Sequence, residues 1–486
     1  SYFHYLAIFI FFCIILFFVW KKIISKPSKQ GKYLLIKFLI ICLITAAGIR
    51  GSFSRKPLST IDAFRFGSIT YGNIALNGVF TTLISFRKGD IYHYKLLPEK
   101  EAYKTLDIKE TDYPLLRSYK ERRPKRNVIF ILLESWSPQY VDSFGKNNFN
   151  VTPNYDALVK DGIKFENFYA AGERSLDAIQ AILTGIPPLP GMQYIGYGLE
   201  ISKFTQIGKI AKKNNYHSIF IQSFRRRSYR MDSIAKLCGF DEYYGMEDIP
   251  VILNYPERGN SQTGWDYESF MFLKKRLDKI KKPFLAFLFT GTTHGPFAKL
   301  PEKFMVKPYD SRNENGFLNT LYYTDWALGE FIKEAKKSKW FKNTVFILCA
   351  DHALLAYEIP PYPERYHITF LIYAPEIFTP AINDTICSQL DLMPTLFDIL
   401  GFQDEFASFG KSILRKKKGF AITTHGEITS LLTQKGYIRL ALQKKIDYGS
   451  LTIEPPGKEE ISLLEKKLLS IQQITINLLN KNRWAK

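Results

Sequence analysis

The sequence predicts an α/β protein with a mostly parallel sheet flanked by helices, preceded by transmembrane helices and followed by a small C-terminal α+β appendage. Three observations predict it. Two apolar runs lie near the N-terminus, short apolar β-branched runs alternate with helical patterns from Asn127 onward, and the texture changes again near Gly419. A chain of 486 residues is long enough for two or three units with a large core.

The first run, YFHYLAIFIFFCIILFFVW (Tyr2 to Trp20), has no formal charge apart from His4. The second, YLLIKFLIICLITAAGI (Tyr33 to Ile49), is interrupted only by Lys37. Each is about as long as a helix needs to cross the roughly 30 Å hydrocarbon core. Lys21 and Lys22 follow the first run where a cleavable signal peptide would place small residues, so a spanning helix is expected. The loop between the runs holds five lysines and no acid, which places it in the cytoplasm and everything after Arg50 outside. Ser1 then also lies outside, and with no initiator Met further spans upstream are expected. The predicted location is therefore multi-pass in the cytoplasmic membrane, with the main domain extracytoplasmic. A formal charge of +21 calls for an anionic partner, and the apolar runs favour membrane lipid over nucleic acid.

Residues 1–50 are thus expected to form the spans and their loop, and 51–126 a juxtamembrane linker with short helices near the bilayer surface. RSYKERRPKR (Arg117 to Arg126) reads as a solvated basic stretch within that linker. Residues 127–418 form the expected catalytic domain. Its buried strands are VIFILLE (128–134), SIFIQ (218–222), FLAFLFT (284–290), TVFILCAD (344–351) and ITFLIYAP (368–375). Helical patterns cover 153–161, 178–183, 268–280, 318–337 and 391–400, and PPLPG is expected to end the second of these. Residues 419–486 form the appendage, with strand-like FAITT and YIRLAL before a helix. Cys238, Cys349 and Cys387 are an odd, unpatterned set outside the spans and imply no disulfide framework.

Chemistry is expected where polar residues end apolar strands. Glu134 ends VIFILLE, and Asp351 with His352 ends TVFILCADH. A carboxylate in such a place costs several kcal/mol unless it is paired or bound to a cation, and two such ends in one sheet point to a shared cation. Ser175, in the turn GERS ahead of a helical pattern, offers a hydroxyl at a helix N-terminus, where free N–H groups favour anions. Three oxygens and one imidazole suit Mn²⁺, Mg²⁺ or Zn²⁺, and a cation beside the hydroxyl would make it a nucleophile. Each residue also has a plainer reading. Ser175 could be an N-cap, Glu134 the partner of a buried arginine, Asp351 a turn cap and His352 a satisfied core histidine.

The stretches RGSFSRKPLSTIDA, ALNG, VIFILLESW, GERS to PPLPG, GTTHGPF, ADH and QLDLMPTLFDILGF carry a resemblance. In their order and spacing, from about Arg50 to about Leu414, the chain resembles the lipoteichoic acid synthase and phosphoglycerol transferase branch of the alkaline phosphatase and sulfatase superfamily. The resemblance implies a sulfatase-like fold and a four-residue metal site of Glu134, Ser175, Asp351 and His352, most simply for Mn²⁺. It also implies that Ser175 is the nucleophile, where the best known relatives have threonine, and that His294 in GTTHGPF contacts the phosphoryl group. IQSFRRRSYRMD (221–232) falls where the family lines its glycerophosphate pocket, with the tryptophan and arginine positions near Tyr229 and Met231. Arg225, Arg226, Arg227 and Arg230 could contact phosphate there, or form a solvated basic turn.

The implied activity moves phosphoglycerol from phosphatidylglycerol to an extracytoplasmic glycan or glycolipid acceptor through a covalent serine intermediate. Alternatives are a phosphoethanolamine transferase, a phosphodiesterase or sulfatase-type hydrolase, and an inactive membrane-tethered binding module. Modification of Ser175 to formylglycine is not expected. Asp177 stands where that signal needs proline, and Ile179 where it needs arginine.

Overall fold

The computed structural model describes residues 58–66, 69–76 and 95–486, less short stretches at 146, 258–262, 355–356, 358–359, 416–417 and 452–455, and scattered positions before 48 and at 78. The chain divides into two compact units, 1–59 and 60–486. Most of the two apolar runs falls outside the described residues. Among the described residues no helix is long and apolar enough to cross a membrane. The few described positions within the runs, such as Phe11, Phe18, Leu39 and Ile44, are helical and expose their apolar side chains.

In the second unit eight strands form one sheet. They are β1 (Asn127–Leu133), β2 (Ile163–Phe165), β3 (His217–Gln222), β4 (Glu242–Tyr244), β5 (Phe284–Phe289), β6 (Thr344–Ala350), β7 (Phe370–Tyr373) and β8 (Ala381–Asn383). Their spatial order is β8-β2-β7-β6-β1-β5-β3-β4. The sheet is mixed rather than uniformly parallel, because β7 runs antiparallel to both neighbours. The four central strands, β6, β1, β5 and β3, are parallel in register, so their carboxyl ends share one edge. Every residue of β1, β5 and β6 is buried, the pattern expected of strands covered on both faces. Phe130, Phe287 and Phe220 stack across β1, β5 and β3 with centroids 4.9 and 4.7 Å apart, which ties that register to core packing.

After a short helix at Ile69–Ala75, the unit holds helices α1 (Glu99–Thr105), α2 (Pro153–Lys160), α3 (Ser175–Thr184), α4 (Ile207–Lys213), α5 (Met231–Leu237), α6 (Asp266–Leu277), α7 (Glu314–Ala335), α8 (Leu392–Leu400) and α9 (Lys458–Asn480). Helix α3 is buried along its whole length. It ends at Gly185, held in the left-handed region at φ 69°, so glycine rather than PPLPG stops it. After 419 the chain forms a four-stranded antiparallel meander, β9 (Phe420–His425), β10 (Ile428–Thr433), β11 (Gly436–Ala441) and β12 (Lys444–Ser450), with α9 packed on β10 and β11.

Two linker expectations change. The 3-10 segment Thr60–Phe66 packs on α5 with Ile61 and Phe64 wholly buried, because its apolar residues find a protein surface to cover. The basic stretch before β1 is mostly exposed, as expected, but it is also pinned at Arg123. Arg123 lies 3.0 Å from the buried carboxylate of Asp398, which Arg415 also holds.

Candidate functional site

The shared edge of the central strands brings the polar strand ends together. Glu134, one residue past β1, and Asp351, one past β6, are 1 % and 0 % exposed. One ligand atom from each of Glu134, Asp351 and His352 lies within 4.8 Å of the others. Backbone amides fix one side of Asp351, whose Oδ1 accepts from Ser135 N and His352 N at 2.8 Å each. Its Oδ2 is buried without a hydrogen-bond donor, 3.3 Å from His352 Nε2. His352 Nδ1 lies 3.0 Å from the carbonyl of Ala353 and can only donate to it. In the neutral imidazole that leaves a bare lone pair on Nε2, facing two carboxylates. Three acceptors aimed at one point need a proton or a cation between them. This donor set fits a hard or borderline divalent cation.

The charges record the same crowding. Burial, then the Asp351 carboxylate, pushes Glu134 up to about 8. Burial opposes a charge on His352, but Asp351 and then Glu134 favour it, and the net shift is upward.

Ser175 is the first residue of α3, with Arg174 in the N-cap position and no side-chain cap. Its hydroxyl therefore does not serve the helix. It points to Glu134 Oε2 at 3.5 Å and is 6 % exposed. The free N–H groups of the first turn of α3 lie beside it, a natural seat for an anion.

His294 follows β5. Its Nδ1 is 2.6 Å from the carbonyl of Gly295, and its Nε2 is 3.2 Å from the hydroxyl of Tyr229. Burial lowers its pKa, which keeps the ring neutral near pH 7. Burial, then the carboxylates of Glu134 and Asp351, raises that of Tyr229. Tyr229 and Arg230 both have left-handed backbones, φ 53° and 58°, a conformation that side chains other than glycine resist.

The arginines of this loop part company. Arg225 is exposed, and Arg226 is bound to Asp248. Arg230 lies over the ring of Tyr197 at 4.9 Å. Arg227 is drawn away into an ion pair with Asp62 at 2.6 Å, while Arg65 reaches Asp232 at 3.3 Å. Asp62 and Arg65 belong to the 3-10 segment Thr60–Phe66, so that segment clasps both ends of the strained turn carrying Tyr229. Asp62→Asn is expected to raise hydrogen exchange of amides 226–231 about tenfold while the sheet amides are unchanged. Equal exchange in the two proteins would show the clasp to be idle.

Several residues of the site were not foreseen. Asp266, fully buried at the start of α6, accepts from Gly291 N at 2.8 Å, Thr292 N at 3.1 Å and Thr324 Oγ1 at 2.9 Å, and so shapes the GTTH turn. Thr293 donates to the carbonyl of Glu134 at 2.6 Å. Gln389 accepts from Ala171 N and donates to the carbonyls of Ala350 and Asp351 at 2.8 to 3.0 Å, bridging the Ser175 turn and the Asp351 strand end. Gln389 and Thr293 had a signal, since one opens the motif QLDLMPTLFDILGF and the other lies within GTTHGPF, whereas Asp266 had none.

The family model described as Sulfatase matches residues 126–402, more than half of the chain. Lipoteichoic acid synthase-like YvgJ of Bacillus subtilis (strain 168) is 26 % identical over 329 residues, which are 62 % of this chain and 52 % of that one. Phosphoglycerol transferase I of Salmonella typhi is 27 % identical over 305 residues, 60 % of this chain and 39 % of that one. The chain thus spans about half or less of the length of these relatives. Among solved structures, an alkaline phosphatase superfamily protein from Vibrio parahaemolyticus superposes with a TM-score of 0.69 at 24 % identity, covering 82 % of this chain and 99 % of the other. The lipoteichoic acid synthase LtaP from Listeria monocytogenes gives 0.62 at 16 % identity, covering 79 % and 98 %. These two likenesses speak for the fold.

Proposed function

We propose, from the premise that the chain belongs to the sulfatase family, that it is a membrane-anchored phosphoglycerol transferase acting outside the cytoplasmic membrane. It would take phosphoglycerol from phosphatidylglycerol and pass it to a glycan or glycolipid hydroxyl. The observation that carries this reading is the Ser175 hydroxyl, uncapped at the head of a buried helix, 3.5 Å from Glu134 and beside the convergent Asp351 and His352. Relatives named for phosphoglycerol transfer and lipoteichoic acid synthesis support the headgroup. A divalent cation, Mn²⁺ first with Mg²⁺ or Zn²⁺ as alternatives, would be held by Glu134, Asp351, His352 and Ser175 and would supply the Lewis acidity that activates the hydroxyl.

In this scheme the Ser175 oxygen attacks the phosphorus, the bond to the diacylglycerol oxygen breaks, the serine proton ends on that departing oxygen, and a glycerophospho-serine remains. The N–H groups at the head of α3 hold the phosphoryl oxygens. The Tyr229 hydroxyl donates to His294 Nε2 in the resting protein and can turn its proton to a phosphoryl oxygen. Neutral His294 then has a free lone pair on Nε2 with which to take a proton from an incoming hydroxyl. The N-terminal apolar runs support a membrane anchor that keeps the site beside its lipid.

Intact mass after incubation with Mn²⁺ and phosphatidylglycerol vesicles tests the proposal. A glycerophosphoryl adduct, missing from Ser175→Ala, is the expected result. An adduct only with phosphatidylethanolamine would reassign the headgroup, and no adduct together with lipid turnover to free headgroup would make the protein a hydrolase. Unaltered mass with no bound metal and no turnover would leave a binding module.

A further inference from the structure

Residues 60–486 carry 58 Lys and Arg against 46 Asp and Glu. Eighteen of those cations lie in four short segments, 120–126, 212–213, 274–282 and 333–342, which hold three acids among them. Elsewhere the same span has 40 cations against 43 acids, so its whole positive excess sits in these segments. The fold gathers them. They lead into β1, β3, β5 and β6 at the amino ends of the parallel strands, the edge opposite the one that carries Glu134 and Asp351. Seven residues of β1, about 20 Å of strand, separate the two edges. Side chains knit the segments into one surface. Arg126 donates to Asn343 Oδ1 at 2.7 Å, Asn343 Nδ2 to the carbonyl of Lys125 at 3.0 Å, and Lys125 Nζ to that of Asn214 at 3.4 Å. Ser338 and Trp340 both donate to Asp278, at 2.7 and 2.9 Å.

Ten of the eighteen cations are exposed and have no acidic partner among the described residues. The acids nearby are taken, Asp278 by Lys274, Glu334 by Lys337, Asp404 by Lys213 and Glu121 by Arg415. Helices α4, α6 and α7 end at this edge, and their dipoles account for a lysine in each last turn. Lys281, Lys282, Lys339 and Lys342 lie beyond those turns, and 120–126 follows no helix. Crowded like charges repel, so this edge weakens the fold until an anion meets it.

The make-up of the edge says which anion. Nine of the ten are lysines, point charges on flexible stems that follow an irregular line of anions rather than clamp one phosphate. None of the exposed large apolar side chains among the described residues lies in the four segments. The surface therefore has nothing to bury in a bilayer, no exposed ring on which a nucleobase could stack, and no apolar centre for a protein interface. We propose that the amino edge of the sheet is a docking surface for a linear phosphodiester polymer of the cell envelope, separate from the site at the carboxyl edge. The inference goes beyond the transferase reading and takes from it only that the domain faces outward. Binding is non-covalent, releases counterions, and leaves the opposite edge open to lipid.

The test uses the full chain as Ser175→Ala in phosphatidylcholine nanodiscs, so that turnover plays no part, and titrates it with fluorescent poly(glycerophosphate). Lys279→Gln, Lys281→Gln, Lys282→Gln and Lys342→Gln combined are expected to weaken binding at least about tenfold and to flatten its dependence on salt. The same change at Lys435, Lys444, Lys445 and Lys458, exposed lysines of the C-terminal appendage, removes equal charge and is expected to cost less than about twofold. All eight side chains are exposed, and a melting temperature shared with the parent checks that both variants fold. No binding by the parent, or a loss no greater at the edge than in the appendage, would overturn the proposal. Tighter capture of polyglutamate or of phosphatidylglycerol vesicles than of the polymer, through the same four edge lysines, would overturn it in favour of an acidic protein or a membrane.

Discussion

Glu134→Gln is expected to leave a protein that is inactive yet more stable than its parent when no cation is bound. A free glutamate titrates near 4.5, and in the fold Glu134 is pushed up to about 8. The pKa of His352 is raised as well. Both groups bind protons more tightly folded than unfolded, so the stability they contribute is fully present below their unfolded values and is lost as pH rises through the folded ones. The cation-free parent should therefore melt at progressively lower temperature from about pH 4.5 to 8. Glutamine fills the same space without the charge and flattens most of that slope, a gain on the order of 2 kcal/mol at pH 8 after allowance for relaxation. Mn²⁺ should raise the parent's melting temperature more at pH 8 than at pH 6, since binding must displace the proton, and should barely move the variant. Turnover should fall at least about 10³-fold. Equal stabilisation of parent and variant by Mn²⁺ would remove Glu134 from the cation's ligands.

Ser175→Ala and Ser175→Thr should separate sharply. Alanine removes the oxygen that forms the covalent bond and should lower turnover on the order of 10⁴-fold, with no adduct at any time. Threonine keeps the hydroxyl and adds one methyl at a helix start that is 6 % exposed, where a tenth of the activity or more should survive. Rapid-quench measurement of adduct and product decides the point. Adduct on Ser175→Ala would place the nucleophile elsewhere, and a dead threonine variant would show that the site has no room for the methyl.

Much of the cluster of Glu134, Ser175 and Asp351 was legible because its members break a local rule. Glu134 and Asp351 are charges appended to strands that are otherwise apolar, and Ser175 opens a helix whose other residues are mostly apolar. What a strand is made of and where it stops are local properties, and local properties can be read along a chain. Arg227 shows the limit. Its guanidinium looks like a phosphate ligand in RRRSYR, but its partner is Asp62, 165 residues earlier, and no spacing rule links the two. Asp266 is similar, reading as an ordinary acid at a helix start while it serves the GTTH turn from below. The left-handed pair Tyr229 and Arg230 carries no glycine to announce it. The antiparallel course of β7 also escaped, because a fully buried strand is equally apolar in either direction. Most of the apolar runs at 2–20 and 33–49 lies outside the described residues, and the anchor they imply is a proposal.

Gln389 sets the span between the Ser175 turn and the end of β6 with three hydrogen bonds from an uncharged amide. The groups on either side change charge whenever a proton or a cation arrives or leaves. A carboxylate or an amine in the same place would tighten and slacken with each of those changes. An amide has no charge to respond with, so these three hydrogen bonds do not depend on the charge that Glu134 or His352 carries.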